Sequence, residues 1–92
     1  MASVTFTEYI RPNGRTREIQ IPVSKDVANQ AQKLIELGGE FTIEKTPMGL
    51  CLTFEYQDDD YGIIISKEPD VERLVNQVTR RLNSEKSRQI QG

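Results

Sequence analysis

The chain opens on an alternation. Val4, Phe6 and Ile10 fall on one side of an extended backbone, with Thr5, Thr7 and Tyr9 on the other. A period of two, rich in Thr, Val and aromatics, predicts a strand. Pro12-Asn13-Gly14 predicts a tight turn, because Asn and Gly tolerate the positive φ that hairpins use. Alternation resumes at Ile19, Ile21 and Val23. Pro22 has no N–H for a ladder, so this second strand lies at an edge or ends there. The spacing then changes. Val27, Ala28, Ala31, Leu34 and Ile35 form one stripe at helical spacing, after a capping Ser24 and with Asp26 in the first turn. Gly38-Gly39 closes the helix.

Three further strands follow. Phe41 and Ile43 alternate with Thr42 and Glu44, and Thr46-Pro47-Met48-Gly49 fits a type I turn. Leu50, Leu52, Phe54 and Tyr56 then alternate with Cys51, Thr53, Glu55 and Gln57, the clearest strand pattern in the chain. Asp58-Asp59-Asp60 is expected to make an acidic turn into Tyr61, Ile63 and Ile65. The unbroken Ile63-Ile64-Ile65 run predicts a strand covered on both faces or nearly so. Pro69 suits the first position of a last helix, whose stripe is Val71, Leu74, Val75, Val78 and Leu82. The polar residues after Asn83 are expected to fray.

These elements predict an α+β fold: a single, mainly antiparallel five-stranded sheet in the order ββαβββα, with two helices packed on one face. Residues 1–83 form one domain and 84–92 a polar C-terminal tail. The other face of the sheet is left open, with Thr, Glu and Tyr side chains available for contacts.

Composition changes this picture mainly by what it removes. The 92 residues contain no histidine and one cysteine. Ser-His and Cys-His nucleophiles are therefore excluded, and Cys51 alone cannot build a zinc site. There is no Gly-rich phosphate loop. We therefore expect no enzyme, no cofactor, no metal and no small-molecule substrate. Asp58-Asp59-Asp60 fails as a calcium loop: Gly62 and Glu68 reach the sixth and twelfth positions only if Gln57 stands first and Tyr61 fifth, where oxygen-rich ligands belong. Cys51 reads as a small, inert strand residue. No apolar run approaches the ~20 residues of a membrane span. The opening residues show neither the basic region nor the long apolar stretch of a secretion signal, so none is expected, and a small domain without disulfides suits a reducing compartment.

Charge adds candidates for binding. The net charge is −2. It is segregated, with Arg11, Arg15, Arg17 and Lys25 near the start, an acidic middle from Glu40 to Glu72, and a basic end from Arg73. Such asymmetry bears on partner choice and steering. Arg11, Asn13, Arg15 and Arg17 surround the first hairpin turn. The three guanidinium groups suit phosphates or carboxylates, and Tyr9 on the same strand suits stacking. The alternative is a turn kept soluble, and safe from edge pairing, by its charge. Asp58, Asp59 and Asp60 either answer a basic groove or are simply solvated. Arg80-Arg81 reads as ordinary surface.

The string Val4-Thr5-Phe6-Thr7-Glu8-Tyr9-Ile10-Arg11-Pro12-Asn13-Gly14-Arg15 resembles the opening of a family of small bacteriophage and prophage proteins. The likeness extends through Leu34-Ile35 and Gly38-Gly39-Glu40-Phe41-Thr42-Ile43-Glu44, then more weakly to Val71. Small phage proteins of this length, acidity and build also look like anti-CRISPR proteins, here one directed at the type I-F surveillance complex. That resemblance implies a monomer in the cytoplasm of the host bacterium. It would grip protein subunits of the RNA-guided complex, and its guide RNA as a further contact, to block target-DNA recognition. Because that class has no shared motif, the site residues rest on charge and turn position alone. Two other readings stay open: an accessory protein binding host transcription machinery or nucleic acid, and a small structural or assembly subunit.

Overall fold

A computed structural model describes residues 2–10 and 13–91, with side chains as far as Glu85. The elements are β1 (Ser3–Ile10), β2 (Arg15–Pro22), α1 (Lys25–Glu36), β3 (Glu40–Thr46), β4 (Gly49–Tyr56), β5 (Asp59–Ser66) and α2 (Val71–Gln91). The fold is α+β, with one five-stranded sheet in the spatial order β2-β1-β3-β4-β5. Pairing is antiparallel except between β1 and β3, which meet in parallel at Thr7↔Thr42 and Glu8↔Ile43. The chain leaves β1, doubles back along β2, crosses in α1 and re-enters beside β1. A β1–β2 hairpin and a β3-β4-β5 meander are thus joined along one short seam.

Both helices lie on one face. Alternation along the strands sends Val4, Phe6, Phe41, Ile43, Leu52, Phe54 and Ile64 toward them, where α1 contributes Val27, Ala31 and Leu34 and α2 contributes Val71, Leu74, Val75 and Val78. These side chains form one buried cluster. Its centre is a file of rings, with Phe6 to Phe41 at 5.3 Å and Phe41 to Phe54 at 4.8 Å between centroids. The α1 turn packs closely on that file. A Cβ on Gly39 would lie 1.9 Å from the Phe54 ring, so only glycine fits there.

Local chemistry sets the element ends. The Ser24 hydroxyl accepts from the Val27 N–H at 3.3 Å, capping α1 as expected. For α2 the cap is Asp70, whose carboxylate accepts from the Arg73 N–H at 3.2 Å, and Pro69 stands before it instead of opening the helix. The backbone of α2 also runs on to Gln91, well past Asn83. Residues 84–91 include the helix formers Glu85, Lys86, Arg88, Gln89 and Gln91 and no Gly or Pro, so they propagate a helix that the preceding turns have already nucleated.

The second half of the sheet departs from expectation at two places. The turn between β4 and β5 is Gln57-Asp58, both with positive φ (53° and 64°), the conformation of a two-residue type I′ hairpin. Asp59 and Asp60 therefore belong to β5 and not to the turn. Farther on, Thr53 pairs with Ile63 while the adjacent Phe54 pairs with Tyr61. Gly62, with φ 63°, is the extra residue of a β-bulge. The bulge shifts the alternation by one, so Tyr61 and Ile64 face the helices and Ile63 and Ile65 face outward. Ile63 is 54% exposed and Ile65 53% exposed. The strand is covered on one face only.

Candidate functional site

The pleat divides the proposed hairpin site. Tyr9 pairs with Thr16, so Arg15 and Arg17, the neighbours of Thr16, point to the opposite face from Tyr9. Arg17 lies across from Glu8, and its Nη2 donates to Glu8 Oε1 in an ion pair on the helix-facing side. Glu8 is the one charged residue in the buried set among the described residues, and Arg17 is what satisfies it. Asn13 Oδ1 accepts from the Arg15 N–H at 3.3 Å and shapes the turn. Arg15 remains exposed at the start of β2. Arg11 lies outside the described residues.

Tyr9 joins a different group. Its hydroxyl donates to the Glu40 carboxylate, at 3.2 Å to Oε2 and 3.4 Å to Oε1. That hydrogen bond, followed by the Glu40 charge, raises the phenol pKa above its ordinary value. Glu40 is the direct cross-strand partner of Glu55, and Glu55 of Asp60. Three carboxylates therefore stand in one row across β3, β4 and β5 on the open face, spaced by the ~4.8 Å between strands. Burial of Glu55, then the charges of Asp60 and Glu40, raise its carboxyl pKa. The row opens into a cleft of about 380 Å³ lined by Gly38, Glu40, Glu55, Tyr56, Gln57, Asp58 and Asp60, none of them basic.

The three consecutive aspartates thus separate. Asp58 sits in the turn at the cleft, Asp60 joins the row, and Asp59 lies on the helix-facing side opposite Tyr56. Beside the acidic row runs a row of Thr7, Thr42 and Thr53, continued by exposed Ile63. The next row on that face is Glu44, Cys51 and exposed Ile65, so its apolar part is the β5 side, where Ile63 and Ile65 stand.

Sequence reasoning missed Glu40 and Glu55 as members of a site. The signal was present: a two-residue loop at Pro47-Met48 sets Thr46 opposite Gly49, and counting outward sets Glu40 opposite Glu55. It also missed Arg81. The Arg81 guanidinium stacks on Tyr61, 4.5 Å from the ring centroid, and Nη1 donates to the Asp60 carbonyl at 2.9 Å. The Tyr61 hydroxyl donates to Glu85 at 3.0 Å, which raises the pKa of that phenol. These contacts fasten α2 to the start of β5, so Arg81 is a clamp within the fold and not plain surface.

Among the described residues no cluster of His, Cys, Asp or Glu has the arrangement of a metal site, and no helix is long and apolar enough to cross a membrane. No family model, curated protein or solved structure matches the chain.

Proposed function

We propose that this chain is a phage-encoded inhibitor that binds the type I-F RNA-guided surveillance complex in the host cytoplasm and blocks recognition of target DNA. It acts by occupying a surface, without catalysis. The observation that carries this reading is the carboxylate row Glu40–Glu55–Asp60 on an open sheet face. Like charges directly opposite one another on neighbouring strands destabilise a sheet. A fold that keeps three in line gains most from a partner that supplies the missing cations. A DNA channel lined with Lys and Arg is such a partner, since it is built to receive closely spaced anions. The threonine row and Ile63 give the same face uncharged contacts beside the acidic ones, which suits a protein groove better than a simple ion.

The pairing of Arg17 with Glu8 weighs against the reading as a free nucleic-acid binder, because one of the hairpin arginines is already engaged. The deciding experiment mixes the protein with purified type I-F complex and follows both association and target-DNA binding. The wild type is expected to associate and to displace DNA. The triple variant Glu40→Gln, Glu55→Gln, Asp60→Asn should lose most of this effect while staying folded. Absence of association by the wild type, with DNA binding undiminished, would refute the proposal.

A further inference from the structure

The two edges of the sheet are built differently. The β2 edge carries Arg15, Arg17 and Glu18, and it ends on Pro22, which cannot donate to a further strand. These are the devices by which proteins keep an edge from pairing. The β5 edge has neither a charge nor a proline in the run Gly62-Ile63-Ile64-Ile65-Ser66, and the device it does carry, the bulge at Gly62, stands at one end of that run. Two of its isoleucines are more than half exposed, and isoleucine is among the residues that pair best across strands. At one end the edge is closed, where Arg81 takes the Asp60 carbonyl. Beyond that point no bond from α2 to the β5 backbone is formed among the described residues.

We propose that β5 pairs antiparallel with β5 of a second copy, about a two-fold axis at Ile64. The two sheets then continue into one, with their open faces on the same side. The inference is independent of the proposed function, and it departs from the monomer expected from the sequence.

The register identifies the second copy as the occupant. A two-fold at Ile64 sets Ile63 opposite Ile65 of the other copy, and Ile65 opposite its Ile63. All four point to the open face, the face on which they are exposed. Past Ile63 the bulge at Gly62 shifts pairing by one, as it does against β4. Tyr61 then faces Ser66, the last residue of β5, in the other copy, and Asp60 comes level with its Lys67, the residue just past the strand. By symmetry this opposite-charge pair forms twice, flanking the isoleucines at both ends. Self-complementarity of this kind, with apolar centre and matched charges outside it, is what an isologous interface requires. A pairing of two edge strands lies at the weak, reversible end of specific association, so dissociation on the order of 10 µM is expected.

Sedimentation velocity over a concentration series spanning that value tests the proposal. The wild type is expected to shift reversibly from monomer to dimer. Ile63→Lys with Ile65→Lys changes only exposed side chains, so it should leave the circular dichroism unchanged and keep the protein monomeric throughout. Asp60→Lys alone and Lys67→Asp alone should each weaken the dimer roughly tenfold or more, since each creates two repulsive pairs. The two together should restore it. A wild type that stays monomeric at the highest concentration overturns the proposal, as does a dimer that survives the isoleucine changes. Failure of the double charge swap to restore association overturns the register.

Discussion

Replacing Gly39 by alanine adds a single methyl group, and the structure says where that group must go. The added Cβ would lie 1.9 Å from Phe54 Cζ, with two further ring carbons at 2.5 and 2.7 Å. Ordinary contact begins at 3.4 Å, so ring or backbone must move by more than an ångström. The ring has little freedom to do so. Phe54 is wholly buried, with Phe41 at 4.8 Å on one side and Tyr56 at 6.4 Å on the other. Overpacking in a core costs about 1–3 kcal/mol, and an unyielding neighbour puts Gly39→Ala at the upper end of that range. In a domain of this size each kcal/mol lowers the melting temperature by about 4–8 °C, so a fall of roughly 12–24 °C follows. Urea unfolding gives the free energy directly. A second variant isolates the cause. Phe54→Leu removes the ring that collides, so Gly39→Ala with Phe54→Leu should lose clearly less than the sum of the two single changes. A loss under about 0.5 kcal/mol for Gly39→Ala, or strict additivity in the pair, would refute the packing argument.

Gln57 and Asp58 both hold the left-handed conformation, which is costly for residues with a Cβ and cheapest for Asn and Gly. Changing them to Asn-Gly should stabilise the protein by about 1–2 kcal/mol in urea unfolding; an unchanged midpoint would argue against the type I′ assignment. Glu55 has a raised pKa in the folded state, so the folded chain holds its proton to higher pH than the unfolded chain does. Its contribution to stability is full below the ordinary carboxylate pKa and falls as pH rises through the raised value. Glu55→Gln should flatten that slope and stabilise the protein above it, as read from unfolding curves across the mildly acidic range; an unaltered slope would refute the rise in pKa that burial and then the Asp60 and Glu40 charges produce.

What could be read from the sequence was set by local period, and what could not was set by register. Val4 and Phe6, or Leu52 and Phe54, announce their face through their neighbours alone, and the stripe Val71, Leu74, Val75 and Val78 does the same at helical spacing. Gly62 interrupts that logic. An unpaired extra residue reverses every face beyond it, and Ile63-Ile64-Ile65 has the same composition in either phase. The parallel seam was equally hidden, because short links suggest neighbours in sequence while β1 and β3 are neighbours only in space. The candidate site suffered from both effects. Charge density pointed to Arg11, Arg15, Arg17 and the three aspartates as groups. The pleat instead sets Tyr9 with Glu40, Arg17 with Glu8, and Asp60 with Glu55. Residues adjacent in a strand cannot share a surface, and residues far apart in the chain regularly do.

The seam between β1 and β3 has a kinetic consequence. The β1–β2 hairpin and the β3-β4-β5 meander are each held by contacts between chain neighbours, so each can form by closing short loops quickly. Bringing Thr7 beside Thr42 instead closes a loop that contains the whole of β2 and α1, an entropy loss that is not recovered until the packed core locks it. The seam is therefore the last part of the sheet to be secured and the first to part. Its amides should exchange with solvent ahead of those inside either half, and the two halves are the natural cooperative units of the molecule.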